Sequence, residues 1–235
     1  MTVVRNVPRA LGPGPLPGVL NRPDGGRPQL WLLRVSEHME SLADGYGLLD
    51  EGERVRHAAF VRDADRERYG AAHIGLRRLL GGYLGIPPEA VAIGREPCPL
   101  CAEPHGRPAV HGSGLHFSLS HSGDLVLFAF AVAPVGADVE RLPSAEAAGE
   151  LASVLHPRET AELAVLAPAE RRAAFGRCWA RKEAYLKGTG AGLAGGTEVT
   201  YVGTGVRPAP VEGWTVSDVS VDEGYAAAVA LSAPL

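Results

Sequence analysis

Gly136-Ala137-Asp138-Val139-Glu140 is followed later in the chain by Trp179-Ala180-Arg181-Lys182-Glu183-Ala184-Tyr185-Leu186-Lys187. In a strand, residues i and i+2 share a face, so the first stretch sets Asp138 and Glu140 side by side with Val139 turned away. Two bare carboxylates that close repel, and something cationic belongs between them. On these residues alone, magnesium, calcium and a buried ion pair all remain open.

The second stretch reads as part of a helix over about 169–187, with Phe175, Trp179 and Leu186 on its apolar stripe. Lys182 and Glu183 fall within or beside that stripe, where a charge is costly unless paired. Neighbours at i and i+1 diverge around a helix and pair poorly, so each is expected to find a partner off the helix. Glu183 and Lys187, at i and i+4, are spaced equally well for an ordinary surface pair.

The 235 residues are 46% hydrophobic, enough for one large domain or two halves. With 27 acidic and 23 basic residues the formal charge is −4, which argues against general attraction to nucleic acid or an anionic membrane. Segment 1–28, rich in Pro and Gly, lacks the basic start and apolar core of a signal peptide and is expected to be a flexible leader. The apolar run at 125–133 is far shorter than the ~18 residues of a membrane-span candidate. Three cysteines do not suggest a disulfide framework and suit a reducing, cytoplasmic setting.

In the first half, 30–35 reads as a buried strand. Asp50, with Glu53 three residues on, reads as a capping box opening a helix to about residue 60, which carries Arg54 and Arg56. A longer helix over 65–84 carries Arg66, Arg68, Arg77 and Arg78. A solvated face is the plain reading of these arginines, and convergence on a phosphate the sharper one. Cys98, Cys101 and His105 have the spacing of half a zinc site, which His111 would complete; a cysteine-bearing turn is the alternative. Residues 116–121 alternate, with Phe117 and Leu119 on one face and Ser118 and Ser120 on the other. Ser120 and His121, adjacent on a strand, point apart and do not form a nucleophile and base. At a strand end they suit either a phosphate site or an ordinary hairpin turn.

After 134 the order of elements recurs: strand, two helices, then a hairpin over 214–231. This predicts a duplicated α+β unit, with halves at 29–133 and 134–235 and the active site between them. Gly190-Ala191-Gly192-Leu193-Ala194-Gly195 matches a dinucleotide fingerprint but follows a helix instead of a strand, so that reading is discarded.

Taken together, the motifs resemble those of the Sfp-type 4′-phosphopantetheinyl transferases. Gly136-x-Asp138-x-Glu140 and Trp179-x-x-Lys182-Glu183-Ala184-x-x-Lys187 match in order and spacing. Phe117-Ser118-Leu119-Ser120-His121-Ser122, Gly106-Arg107-Pro108 and Gly190-x-Gly192-Leu193 join them. Ser118 stands where the family has Asn, which is expected to loosen the hairpin, and Arg107 where it has Lys. The resemblance covers roughly 45–232.

The resemblance implies a pseudo-twofold α+β (α/β) fold and an enzyme that transfers 4′-phosphopantetheine from coenzyme A to a serine of an acyl or peptidyl carrier protein, releasing 3′,5′-ADP. It implies Mg2+, with Mn2+ as a substitute, on Asp138, Glu140 and Glu183. Ser120, His121, Lys182 and Lys187 are expected at the phosphates, and Arg54, Arg56, Arg68 and Arg107 around the nucleotide end of coenzyme A. Glu159 is a further acidic position. Glu183, directly or through a water on the metal, is expected to take the serine proton, with Lys182 and Lys187 stabilising the transition state. A monomer is expected, with the carrier docking in an apolar groove between the halves. Two other readings compete: metal-dependent hydrolysis of a diphosphate, and a zinc or nucleic-acid module built on Cys98, Cys101 and His105.

Overall fold

The unbroken apolar run Leu125-Val126-Leu127-Phe128-Ala129-Phe130-Ala131 is explained by what covers it. Val126, Phe128 and Phe130 pack with Leu76, Leu79 and Tyr83, whereas Leu125, Leu127 and Ala129 pack with Val135, Ala137, Val139 and Val229. A strand buried on both faces needs no polar alternation.

The structure, a computed structural model, describes residues 6–16 and 18–233. In chain order it has strands β1 (Arg9–Ala10) and β2 (Gln29–Arg34), then helices α1 (Leu42–Gly45), α2 (Glu51–Ala58) and α3 (Asp63–Leu84). Strands β3 (Gly94–Arg95), β4 (Pro108–Ala109), β5 (His116–Ser122), β6 (Leu125–Ala131) and β7 (Val135–Arg141) follow. Helices α4 (Ala145–Leu151), α5 (Pro157–Ala164) and α6 (Pro168–Thr189) and strands β8 (Trp214–Asp218) and β9 (Tyr225–Ser232) complete it. One sheet has the order β1-β2-β6-β5 and another β7-β9-β8, with β3 and β4 forming a separate ribbon.

The layers run α3, first sheet, second sheet, α6. Small side chains set the last contact: Ala226, Ala228 and Ala230 of β9 meet Ala180 and Ala184 of α6, and the helix lies close against the strand. The capping box at α2 is formed, Glu53 N donating to Asp50 Oδ1 at 2.8 Å and Asp50 N to Glu53 Oε2 at 2.9 Å. No helix among the described residues is long and apolar enough to cross a membrane.

Two expectations need correction. The leader is docked over its described part: β1 runs parallel to β2, Leu11 is buried, and Leu20 N donates to Gly82 O at 2.8 Å. Leu11, Leu16 and Leu20, spaced among the prolines, lie against the bare backbone that Gly75 and Gly82 expose on α3. Residues 1–5 lie outside the described residues. Arg77, expected with its neighbours on a solvated face, is 1% exposed and clamps Asp50 at 2.6 Å, Glu53 at 2.5 Å and the Val91 carbonyl at 3.0 Å. A buried guanidinium persists because each of its donors finds an oxygen.

Candidate active site

The first sheet meets the second along β5 and β7, and serines at alternate positions stitch the two together. Ser118 Oγ accepts from Ala137 N at 3.0 Å, Ser120 Oγ donates to Asp138 Oδ1 at 2.7 Å, and Ser122 Oγ accepts from Arg141 N at 3.1 Å. Ser118 therefore does not loosen the hairpin. Its short hydroxyl satisfies a backbone donor across the seam.

On β7, Ala137 and Val139 face the shared core, which leaves Asp138 and Glu140 on the opposite side as expected. Asp138 is fully buried. Its Oδ1 takes Ser120 and Lys187 Nζ, the latter at 2.6 Å, whereas Oδ2 has no partner among the described residues. An orphaned buried carboxylate oxygen calls for a ligand.

Glycine brings α6 within reach. A Cβ on Gly136 would lie 1.9 Å from the Ala184 carbonyl oxygen and 2.3 Å from Gly188 N, so strand and helix touch backbone to backbone. Glu183 and Lys187 of α6 are thereby set over β7. Burial, then the negative charge of Asp138, pushes the Glu183 carboxyl above its ordinary range, with Glu140 adding to the effect and Lys187 opposing it. Burial and Asp138 likewise raise Glu140, against Ser122 and Lys187. The three carboxylates are close enough to repel, but their oxygens are not gathered to ligand spacing. Among the described residues only Cys98, Cys101 and His105 have ligand atoms all within 4.8 Å of one another. As a donor set, three carboxylates with an unpartnered oxygen suit a hard cation such as Mg2+.

Beside this acidic floor, near Lys187, stand His121 and Arg68. His121 is exposed at the end of β5, but the surrounding walls strip part of its hydration. That desolvation, followed by the charges of Arg68, Lys187 and His73, lowers its pKa. Arg68 is also held by Asp65. Arg56 is exposed on α2 near Tyr69. Arg54 turns back on its own segment, donating to the Gly47 carbonyl at 3.0 Å and lying over the Tyr46 ring. Arg107 binds Glu96 Oε2 at 2.5 Å and the Gly188 carbonyl at 2.8 Å, tying the β3–β4 ribbon to the last turn of α6.

Lys182, expected at the phosphates, is instead paired inside the protein. Its ammonium, 2% exposed, pairs with fully buried Glu159 at 2.7 Å and donates to the Thr200 carbonyl at 2.5 Å. Glu159 Oε1 in turn accepts from Val202 N at 2.7 Å and Gly203 N at 3.1 Å, which locks the connection after α6 onto α5. A lysine and a glutamate both excluded from water must answer each other, and this pair has no cation to spare for a ligand. The neighbouring Arg181, also buried, is claimed by Asp218 and the Gly203 carbonyl. Sequence reasoning expected an off-helix partner for Lys182 without naming Glu159, and gave no signal for the Arg181–Asp218 pair.

A cavity of about 630 Å³ lies elsewhere, between the leader and α3, lined among others by Leu16, Val19, Ile74 and Ile86. It contains none of the candidate residues.

A model of the 4′-phosphopantetheinyl transferase superfamily matches residues 134–230, from the start of β7 almost to the end of β9. The 4′-phosphopantetheinyl transferase HetI of Nostoc sp. is 32% identical over 212 residues, 86% of this chain and 86% of the relative. The chain belongs to the 4′-phosphopantetheinyl transferase family. Psf-1 of Bacillus pumilus, a transferase of the same name, is 35% identical over 142 residues, 59% of this chain and 60% of its own. Sfp of Bacillus subtilis strain 168 is 27% identical over 154 residues, 62% of this chain and 67% of its own. As a phosphopantetheinyl transferase, the protein carries Asp138, Glu140, Glu183 and Lys187 within the matched region, whereas Arg54, Arg56, Arg68, Arg107, Ser120 and His121 lie before it.

Proposed function

We propose that the protein transfers 4′-phosphopantetheine from coenzyme A to a serine of an acyl or peptidyl carrier protein, releasing 3′,5′-ADP. The observation that carries this reading is the unpartnered Oδ2 of fully buried Asp138, flanked by two carboxylates whose pKa values are raised. Asp138, Glu140 and Glu183 would hold Mg2+, which when bound neutralises the diphosphate and makes its phosphorus more electrophilic.

The chain's own groups divide the remaining work. Lys187, one third exposed, reaches from Asp138 towards solvent and is assigned to the diphosphate and the departing nucleotide. Glu183 is assigned the serine proton, since a raised pKa makes its carboxylate a stronger base. His121 and Arg68, with Arg56 beyond them, are assigned to the phosphates at the nucleotide end. Arg107 and Ser120 hold the walls: one is anchored to α6 and the other to Asp138.

The matching strand orders support halves at 29–133 and 134–235 as copies of one α+β unit. In each sheet the strand before the helices pairs antiparallel with the last strand of the half, and that strand pairs with the one preceding it. The deciding experiment is mass spectrometry of an apo carrier incubated with the protein and coenzyme A, with Mg2+ or with chelator. A phosphopantetheine-sized gain that needs the metal is expected. Cleavage of coenzyme A without a carrier would instead favour diphosphate hydrolysis.

A further inference from the structure

The β3–β4 ribbon ends in a tip whose order has no apolar source. Residues 99–105 are all exposed, Leu100 among them, between buried Cys98 and Gly106. The tip is nevertheless tightly wound. Glu96 N donates to Arg107 O at 2.8 Å, Gly106 N to Glu96 O at 2.9 Å, Cys98 N to Glu103 O at 2.7 Å and Ala102 N to Cys98 O at 2.8 Å. Ala102 takes a left-handed conformation, φ 62°, the only described non-glycine residue to do so. Such backbone strain persists where the surroundings fix it, as at ligand clamps.

This winding gathers three ligand atoms. Cys101 Sγ lies 3.0 Å from His105 Nε2, and one ligand atom from each of Cys98, Cys101 and His105 lies within 4.8 Å of the others. Tetrahedral zinc holds sulfur and nitrogen ligands about 3.5–3.8 Å apart, so shifts of about an ångström would close the trio on an ion. Two sulfurs and an imidazole select a borderline or soft metal, not magnesium.

We propose that Cys98, Cys101 and His105 bind one zinc ion, with its fourth position open to solvent, at a site separate from the carboxylates. The ion supplies the fixing force that apolar burial does not provide at the exposed tip. It also fixes the ribbon that carries Arg107, whose guanidinium holds the Gly188 carbonyl. Pro99 at the tip is within reach of Gly190, just past the end of α6.

The test is metal analysis of the full chain, purified under reducing conditions without added metal, alongside Cys101→Ser and His105→Ala. Both substitutions fall on exposed side chains, and circular dichroism checks that the variants are folded. About one zinc per wild-type chain is expected, lost from both variants but kept by Asp138→Ala. Chelator-stripped wild type, given Co2+, is expected to develop a sulfur-to-cobalt charge-transfer band that neither Cys101→Ser nor excess Mg2+ reproduces. Sub-stoichiometric zinc with no cobalt–thiolate band, or zinc retained by both variants, would overturn the proposal. None of these readouts depends on transfer activity.

Discussion

Lys187 Nζ sits 2.6 Å from Asp138 Oδ1, joining the last turn of α6 to the middle of β7. The carboxylate is buried at 1% exposure and the ammonium is open at 32%, so the anion is fixed at depth while the cation reaches the surface. Lys187→Met should lower kcat/KM for carrier modification about a hundredfold or more, corresponding to about 3 kcal/mol of lost electrostatic stabilisation. Near-normal transfer in a steady-state assay would remove Lys187 from the mechanism.

The raised carboxylates make a pH prediction with a definite sign. A folded-state pKa above the ordinary 4.5 means that the folded chain holds the proton more tightly than the unfolded one. Their contribution to stability is therefore full below that pH and is lost as pH rises through the folded values. In chelator near neutral pH, Glu183→Gln should melt higher than wild type, by about 2–4 °C per kcal/mol relieved, though transfer is lost. Comparing variant with wild type cancels the opposite contribution of Glu53, whose pKa is lowered in spite of burial by His73, Asp50 and Arg77. A lower melting temperature for the variant in thermal scans would contradict the reading.

Lys182 sets a different expectation. Lys182→Met leaves Glu159 as a buried, unpaired anion and should cost about 3–5 kcal/mol in urea unfolding. Lys182→Met combined with Glu159→Gln should recover part of that loss. A single variant of wild-type stability but reduced transfer would return Lys182 to the phosphates.

At Gly136, the smallest change should be among the worst. Gly136→Ala places a methyl 1.9 Å from the Ala184 carbonyl oxygen, so α6 must move off β7, carrying Lys187 away from Asp138. We expect a loss of about 1–3 kcal/mol or more in denaturant titration, together with weaker stabilisation by Mg2+ in melting assays.

Local signals carried much of this structure in the sequence. The i, i+2 spacing put Asp138 and Glu140 on one face, the Asp50–Glu53 pair marked the start of α2, and alternation over 116–121 marked the serine face of β5. The partners of the buried charges were illegible because they are distant along the chain. Arg77 reaches back to Asp50, Lys182 to Glu159, and Arg181 forward to Asp218. No window on α3 or α6 contains those carboxylates. The leader misled through its Pro and Gly content, which hid the three leucines that dock it.

The serine seam between β5 and β7 makes the acidic floor common property of the two sheets. Asp138 comes from one and the hydroxyl that orients it from the other. A slip of β5 by a single residue would turn Phe117, Leu119 and His121 towards β7 and drive Ser118 and Ser120 into the phenylalanine-lined core. The hydrophobic penalty against that slip is thus also what keeps the reactive groups in register: the protein guards its chemistry with the same alternation that folds it.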